Sequence, residues 1–165
     1  SESKKAIYLV LLFSISVFFS CGSSNNNFKS DKKNKYSKLT KQLINYAKSF
    51  EGTPYLYGGN TSKGMDCSGL IHTAYKSVDF NIPRTSLAIY RDGASVKVKH
   101  IKNGDLLFFK TSKKRSSKVN HVGLVTSIKK GEIYFIHSTS SKGVITSVLS
   151  NTYWSKAFVE AKRYL

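Results

Sequence analysis

Apolar residues recur at helical spacing at Leu39, Leu43, Ala47 and Phe50, with Ile44 beside them. Ser37 precedes this run as a candidate N-cap and Gly52 follows it as a candidate stop, so the pattern predicts a first helix between them. A second helix is predicted from Cys67 to Val78, its start marked by Asp66 and its apolar side by Leu70, Ile71, Ala74 and Tyr75. A short third helix is expected from Ser86 to Arg91. Beyond it the period shortens to that of strands, over Ser95 to Lys99, Asp105 to Lys110, Val122 to Ile128, Ile133 to Ser138, Val144 to Val148 and Phe158 to Tyr164. Helices first and strands afterwards predict an α+β domain, with N-terminal helices packed on an antiparallel sheet.

The N-terminal residues have a different character. Two lysines precede the apolar run Ala6 to Phe19, and the chain then turns small and polar, the layout of a secretory signal over residues 1–20. The run is short for a membrane span, which needs about 20 residues. Phe19-Ser20-Cys21-Gly22 is similar to a bacterial lipobox, which makes Cys21 the expected site of lipidation. An uncleaved anchor and a plain secretion signal are the alternatives. Residues 21–36, rich in Ser, Asn and Lys, are expected to form a solvated tether carrying a domain over residues 37–165. The absence of an obvious retention signal after Cys21 favours an outer-membrane anchor facing the periplasm.

Charge alters this picture less than its size suggests. The chain has 27 Lys and Arg against 9 Asp and Glu, a formal net charge of +18, which attracts polyanions of any kind. Wall polymers, lipid headgroups and nucleic acid all qualify. Export and the lack of an aromatic-basic recognition motif argue against nucleic acid. The histidines show no spacing typical of metal ligands, so neither a metal nor another cofactor is expected. Of the two cysteines, a lipidated Cys21 has no thiol to share. Cys67 is then a lone thiol in an oxidising compartment, which points to catalysis rather than a disulfide.

The chemistry concentrates in Gly52-Thr53-Pro54-Tyr55-Leu56-Tyr57-Gly58-Gly59 and Gly64-Met65-Asp66-Cys67-Ser68-Gly69-Leu70. A cysteine in the first turn of a helix has its anion stabilised by the helix dipole and by unpaired backbone N–H groups, so a depressed thiol pKa is expected for Cys67. Asp66 can cap that helix. A thiolate needs a proton acceptor that can later protonate the leaving amine, and His121, opening a strand, is the candidate. If Lys129-Lys130-Gly131 forms a three-residue loop, Ile128 pairs with Glu132 and Gly123 falls opposite His137. His121 and His137 then lie diagonally on one face, where His137 can fix the tautomer of His121. A two-residue loop would place them on opposite faces. The Cys67 backbone N–H is a natural oxyanion donor. Arg84 either binds a substrate carboxylate or supports its turn. His72 points away from Cys67 and is read as structural, and His100 as solvated. The basic loop Lys113-Lys114-Arg115, with Lys118, is either a plain solvated loop or an aid in gathering anionic strands.

These two blocks resemble the NlpC family of papain-like cell-wall endopeptidases. The likeness continues through Ile82-Pro83-Arg84-Thr85-Ser86, Asn103-Gly104-Asp105-Leu106-Leu107-Phe108-Phe109, His121-Val122-Gly123-Leu124-Val125 and Phe135-Ile136-His137-Ser138. It covers Leu39 to Leu165 and is nearest to the single-domain, Spr-like lipoprotein members that open murein cross-links. The resemblance implies a papain-like fold and a catalytic triad of Cys67, His121 and His137. It further implies a Tyr55 hydroxyl contributing to the oxyanion site, and an Asp66 that holds a substrate amino group beside Ser68. The implied partner is peptidoglycan, cut at bonds involving D-amino acids and diaminopimelate, either within one stem or at the cross-link, by a monomer. A wall-binding lipoprotein without activity is the competing expectation, and acyl transfer to an amine or lipid is another.

Overall fold

The computed structural model describes residues 25–112 and 118–165, with side chains from Lys29 onward. The expected signal, the lipidation site Cys21 and the basic run Lys113-Lys114-Arg115 lie outside the described residues. Two compact units are distinguished, residues 1–32 and 33–165. The second holds everything below except the start of the first helix.

That helix, α1, runs Asn25–Lys48, beginning well before Ser37. Ser37 is therefore an interior residue, and the stretch expected to be coil is helical from Asn25. Nothing in 25–36 is proline, glycine or β-branched, so no residue breaks the hydrogen-bond ladder as it extends backwards. The side chains of Lys29 to Lys38 are exposed on every side, so this extension adds nothing to the core. Leu43, Ile44 and Ala47, as expected, are buried.

A small hairpin, β1 (Asn60–Thr61) and β2 (Gly64–Met65), precedes α2 (Cys67–Lys76). Then come α3 (Ser86–Asp92), β3 (Ala94–Val96) and a 3-10 turn at Val98–His100 that ends the expected strand early. The rest is β4 (Leu106–Phe109), β5 (His121–Lys129), β6 (Glu132–Thr139), β7 (Gly143–Val148), α4 (Thr152–Ala157) and β8 (Phe158–Arg163). Six strands form one antiparallel sheet in the order β3-β8-β4-β5-β6-β7. The last strand thus inserts beside β4, closing the domain with its C-terminal residues.

Both faces of the sheet are covered. Leu106 and Phe108 join the helix-side core with Leu43, Leu70, Ile71 and Tyr75. Leu107 and Phe109 join a second core with Val125 and Phe135, against which Trp154 packs. A strand buried on both sides loses the alternation of a half-exposed strand and reads as the unbroken run Leu106-Leu107-Phe108-Phe109. The covering element on the second face, α4, has six residues, too few to show a helical period.

The turn between β5 and β6 is shorter than expected. Lys129 pairs with Glu132 and Ile128 with Ile133, so the loop has two residues, Lys130 and Gly131, with φ of 51° and 81°. Positive φ at both central positions is the type I′ pattern that suits a twisted hairpin. By itself this would reverse the face of His121 relative to His137. A bulge restores it: Ser127 pairs with Tyr134 but Val125 pairs with Phe135, leaving Thr126 as an extra residue on β5. Its Oγ1 donates to the Tyr134 carbonyl at 3.3 Å. Leu124 then pairs with Ile136, and continuing that register sets Gly123 opposite His137. Gly123 must be glycine here, because a Cβ would lie 2.5 Å from the Phe135 ring.

Lys130 sits in a left-handed conformation that costs a non-glycine residue about 1 kcal/mol or more. Lys130→Asn is expected to raise stability by up to about 1 kcal/mol, read as a higher midpoint in urea unfolding, while Lys130→Val should lower it.

Candidate active site

The start of α2 is built around one carboxylate. Asp66 Oδ1 accepts from the Gly69 N–H at 2.6 Å, from Arg84 Nη1 at 3.0 Å and from Ser68 Oγ at 3.2 Å. Its Oδ2 accepts from the Gly58 N–H at 2.8 Å and from Arg84 Nη2 at 3.1 Å. Burial pushes this carboxyl up, but the hydrogen bonds from Arg84, Gly69 and Gly58 outweigh it and hold Asp66 below the usual carboxylate range. Asp66 is thus the N-cap of α2 and at once the tie to the Tyr55–Gly59 loop. That loop approaches α2 so closely that a Cβ on Gly69 would fall 2.0 Å from the Gly59 carbonyl oxygen, a contact only glycine permits.

Arg84 is engaged within the protein. Besides Asp66, Nη1 donates to Ser68 Oγ at 2.9 Å and Nη2 to the Gly59 carbonyl at 3.2 Å. All four N–H bonds on its two terminal nitrogens are thereby used, which leaves Nε–H alone for anything else. Of the two roles open to Arg84 from the sequence, the geometry supplies the supporting one.

Cys67 follows Asp66 at the first helical position, half-buried. It lines a cavity of about 550 Å³ together with Tyr55, Tyr57, Ser68, Arg84 and Asn120. Its sulfur lies 3.9 Å from the Asn120 carbonyl oxygen, against the backbone that carries His121. Burial pushes the Cys67 thiol up and the Asp66 charge adds to this, while the N–H groups of Val122, Ser68 and Cys67 pull the other way without prevailing. The expected lowering is therefore reversed: burial, with the Asp66 charge, outweighs the backbone N–H groups around the sulfur.

His121, in the first position of β5, and His137, in the middle of β6, are both buried. His121 Nε2 and His137 Nδ1 are 2.8 Å apart, and His137 Nε2 is 2.8 Å from Ser147 Oγ on β7. Ile145 is the residue directly opposite His137, and Phe135 is opposite Ser147. The three polar groups therefore run diagonally across three neighbouring strands on one face, each two positions from the residue facing it. With His121 protonated at Nε2, His137 accepts at Nδ1 and donates from Nε2 to Ser147. His121 Nδ1 is then the nitrogen available to take a proton.

Aromatic rings enclose this row. The Trp154 ring stacks on His121 with centroids 5.3 Å apart and meets His137 edge-on at 4.6 Å, and Phe135 lies 4.7 Å from His137. Burial lowers His121 to about 4, and burial together with His121 lowers His137 to about 3. The shifts run toward a protonated thiol and neutral imidazoles. Tyr55, half-buried in the cavity wall, has its phenol pushed up by burial, Cys67 and Asp66, and so stays a hydrogen-bond donor. This arrangement can deliver sulfur to an electrophilic carbon, with a neutral base and polar donors beside it.

The structure brings Tyr55, Asp66, Cys67, Ser68 and Arg84 to one cavity with Asn120, the residue before His121, and pairs His121 with His137. His72 stays apart, its Nδ1 3.1 Å from the Ile82 carbonyl, and His100 is exposed in the 3-10 turn. Tyr57 lines the same cavity and is 88% exposed. Ser147 and Trp154 had no sequence signal. Asn120 ties the start of β5 to the chain after β4, accepting from the Thr111 N–H at 2.9 Å and donating to Thr111 Oγ1 at 3.0 Å.

The sequence profile of the NlpC/P60 family matches residues 52–163. The "Probable endopeptidase NlpC" of Escherichia coli K12 is 38% identical over 122 residues, which are 73% of this chain and 75% of that protein. The "Murein DD-endopeptidase MepH" of the same organism is 40% identical over 139 residues, 81% of this chain and 49% of that protein. The chain thus spans about half the length of the latter. A crystal structure of an NlpC/P60 family protein from Bacillus cereus aligns with a TM-score of 0.68 at 36% identity, covering 76% of this chain and 40% of that one.

The buried imidazoles have two measurable consequences. Ser147→Ala leaves the His137 Nε2–H without a partner and should cost about 1–3 kcal/mol in urea unfolding, with Ser147→Thr largely sparing it. In the unfolded chain both histidines take up protons near 6.5, whereas folded they do so only near 4 and 3. Their contribution to stability is therefore complete above about pH 6.5 and lost as pH falls through about 4. His137→Gln should flatten the dependence of stability on pH across that window.

Proposed function

Because the chain belongs to the NlpC/P60 family of cysteine peptidases, we propose that it hydrolyses peptide bonds of peptidoglycan through an acyl-enzyme at Cys67. The observation that carries this reading is the row from His121 to His137 to Ser147, together with a half-exposed cysteine at a helix start whose sulfur lies 3.9 Å from the carbonyl of Asn120, the residue before His121. In the first half-reaction the Cys67 thiol gives its proton to His121 Nδ1 as sulfur bonds to the carbonyl carbon. The oxyanion receives the Cys67 backbone N–H and the Tyr55 hydroxyl. The C–N bond then breaks, the amine leaves with the proton from His121, and a thioester remains. In the second half-reaction water gives a proton to His121 and adds to the thioester, releasing a carboxylic acid and restoring the thiol.

His137 orients His121 and shares the developing positive charge through the 2.8 Å hydrogen bond. Asp66, Ser68 and Arg84 shape the wall that receives the amino end of the substrate. The five donors already on Asp66 mean that it meets a substrate ammonium through its field or by exchanging a partner. The substrate is a stem peptide containing D-amino acids and diaminopimelate. The likeness to a protein named as a murein DD-endopeptidase supports the cross-link as the scissile bond. We further propose that the protein acts as a monomer in the cell envelope, tethered by lipid on Cys21 to the outer membrane and facing the periplasm.

Incubation of the protein with purified sacculi should release muropeptides resolvable by mass spectrometry, and Cys67→Ala should abolish release. Tight sacculus binding without any release by the unaltered protein would instead favour a wall-binding lipoprotein that lacks activity.

A further inference from the structure

Away from the cysteine, a trough of about 710 Å³ lies beside α1, floored by Ile44, Ile101 and Ile128. It shares no lining residue with the cavity of Cys67. The charged residues on its wall are Lys41, Lys48 and Lys102, with no carboxylate among them. Among the described residues, the ion pairs formed by basic side chains involve Arg84, Lys162 and Arg163, so none of the three trough lysines has its charge matched. At one end the trough continues into a cavity of about 280 Å³ that shares Ser37, Thr40, Lys102 and Asn103 with it and adds Lys33 and Arg163.

Cations gathered in a cleft with apolar walls reinforce one another's field and attract an anion more strongly than the same charges spread over a convex surface. Lys41 and Lys48 are seven residues apart, two helical turns and roughly 10 Å along the axis of α1, on one face. A row of separated ammonium groups suits singly charged anions repeated along a chain. It lacks the planar forks that grip one doubly charged phosphate. The neutral wall groups, Asn45, Asn103, Thr40 and Thr126, offer donors and acceptors to hydroxyls between those anions. Aliphatic side chains line the trough, and among the described lining residues one ring, Tyr36 in the adjoining cavity, is aromatic, so there is no succession of platforms for the stacked bases of single-stranded nucleic acid. Its concavity fits a strand rather than the plane of a bilayer.

We propose that this trough binds an extended polyol phosphate, a polyanion of phosphodiesters joined by hydroxylated spacers. The site is independent of hydrolysis at Cys67 and would hold the protein on anionic polymer of the envelope while the cysteine cavity stays open.

The test is fluorescence anisotropy of a labelled synthetic poly(glycerol phosphate) oligomer with the full chain, titrated at several salt concentrations. The variant carries Lys41→Gln, Lys48→Gln and Lys102→Gln. Its control removes the same charge at exposed sites elsewhere, with Lys76→Gln, Lys97→Gln and Lys156→Gln. The trough variant is expected to bind at least about tenfold more weakly. Its plot of log affinity against log salt should be shallower by about 2, because each lost contact to a flexible polyanion removes roughly 0.7 from the slope. The control should change less than about twofold. Equal weakening in both variants would assign binding to the overall charge and overturn the proposal. So would tighter binding of poly(U) than of the polyol phosphate, or a loss confined to phosphatidylglycerol vesicles. The sacculus assay reads Cys67 separately, so either conclusion can fail without the other.

Discussion

A hydrogen bond of 2.8 Å between Nε2 of His121 and Nδ1 of His137 decides which nitrogen of His121 can serve as a base. Everything that makes it possible is a matter of strand register. The two rings meet only if they project from the same face of β5 and β6, and a two-residue turn on its own would separate them. The extra residue at Thr126 corrects the parity. One residue of bulge thus offsets one residue missing from the turn, and β7 extends the row by placing Ser147 diagonally from His137. A one-residue slip anywhere along this hairpin would send a histidine into the other core.

The second constraint is electrostatic. A chain with a net charge of +18 nonetheless disfavours charge on the imidazoles of His121 and His137, because Trp154, Phe109 and Phe135 surround them and no carboxylate among the described residues pairs with either ring. An imidazolium beside a carboxylate would favour a standing thiolate, as the helix dipole alone would suggest. Here burial raises the thiol and lowers the imidazoles, so burial works against that ion pair. The water-poor box costs resting reactivity and strengthens each hydrogen bond that later stabilises the charged state.

Asp66 is the counterpart on the helical side. Its five donors come from α2, from the loop at Gly58 and from Arg84, so one buried carboxylate sets the helix start, the cavity wall and the place of Cys67 together. The close approaches at Gly59, Gly64 and Gly69 are the steric side of the same arrangement. They explain why glycines flank the Asp66-Cys67 pair.

Much of this was legible in the amino-acid sequence, because periodicity and capping are local properties. The second helix, its apolar face at Leu70, Ile71, Ala74 and Tyr75, and the six main strands follow from spacing within a few residues of each position. So does the coincidence of a cysteine with a helix start. What the sequence could not determine depends on partners distant along the chain. The first helix is already formed from Asn25, ahead of Ser37, because nothing between them stops it, and the absence of a stop carries no pattern. Arg84 is committed to Asp66, Ser68 and Gly59, which folding alone brings within reach. Ser147 and Trp154 are ordinary residues until β7 and α4 are laid beside β6. The thiol pKa reversed its expected direction because desolvation depends on how many atoms surround the sulfur, whereas the dipole can be read from one helix. Sequence by itself determined which residues could do chemistry, and tertiary structure decided their charge states and partners, since burial and strand register arise only when distant segments pack.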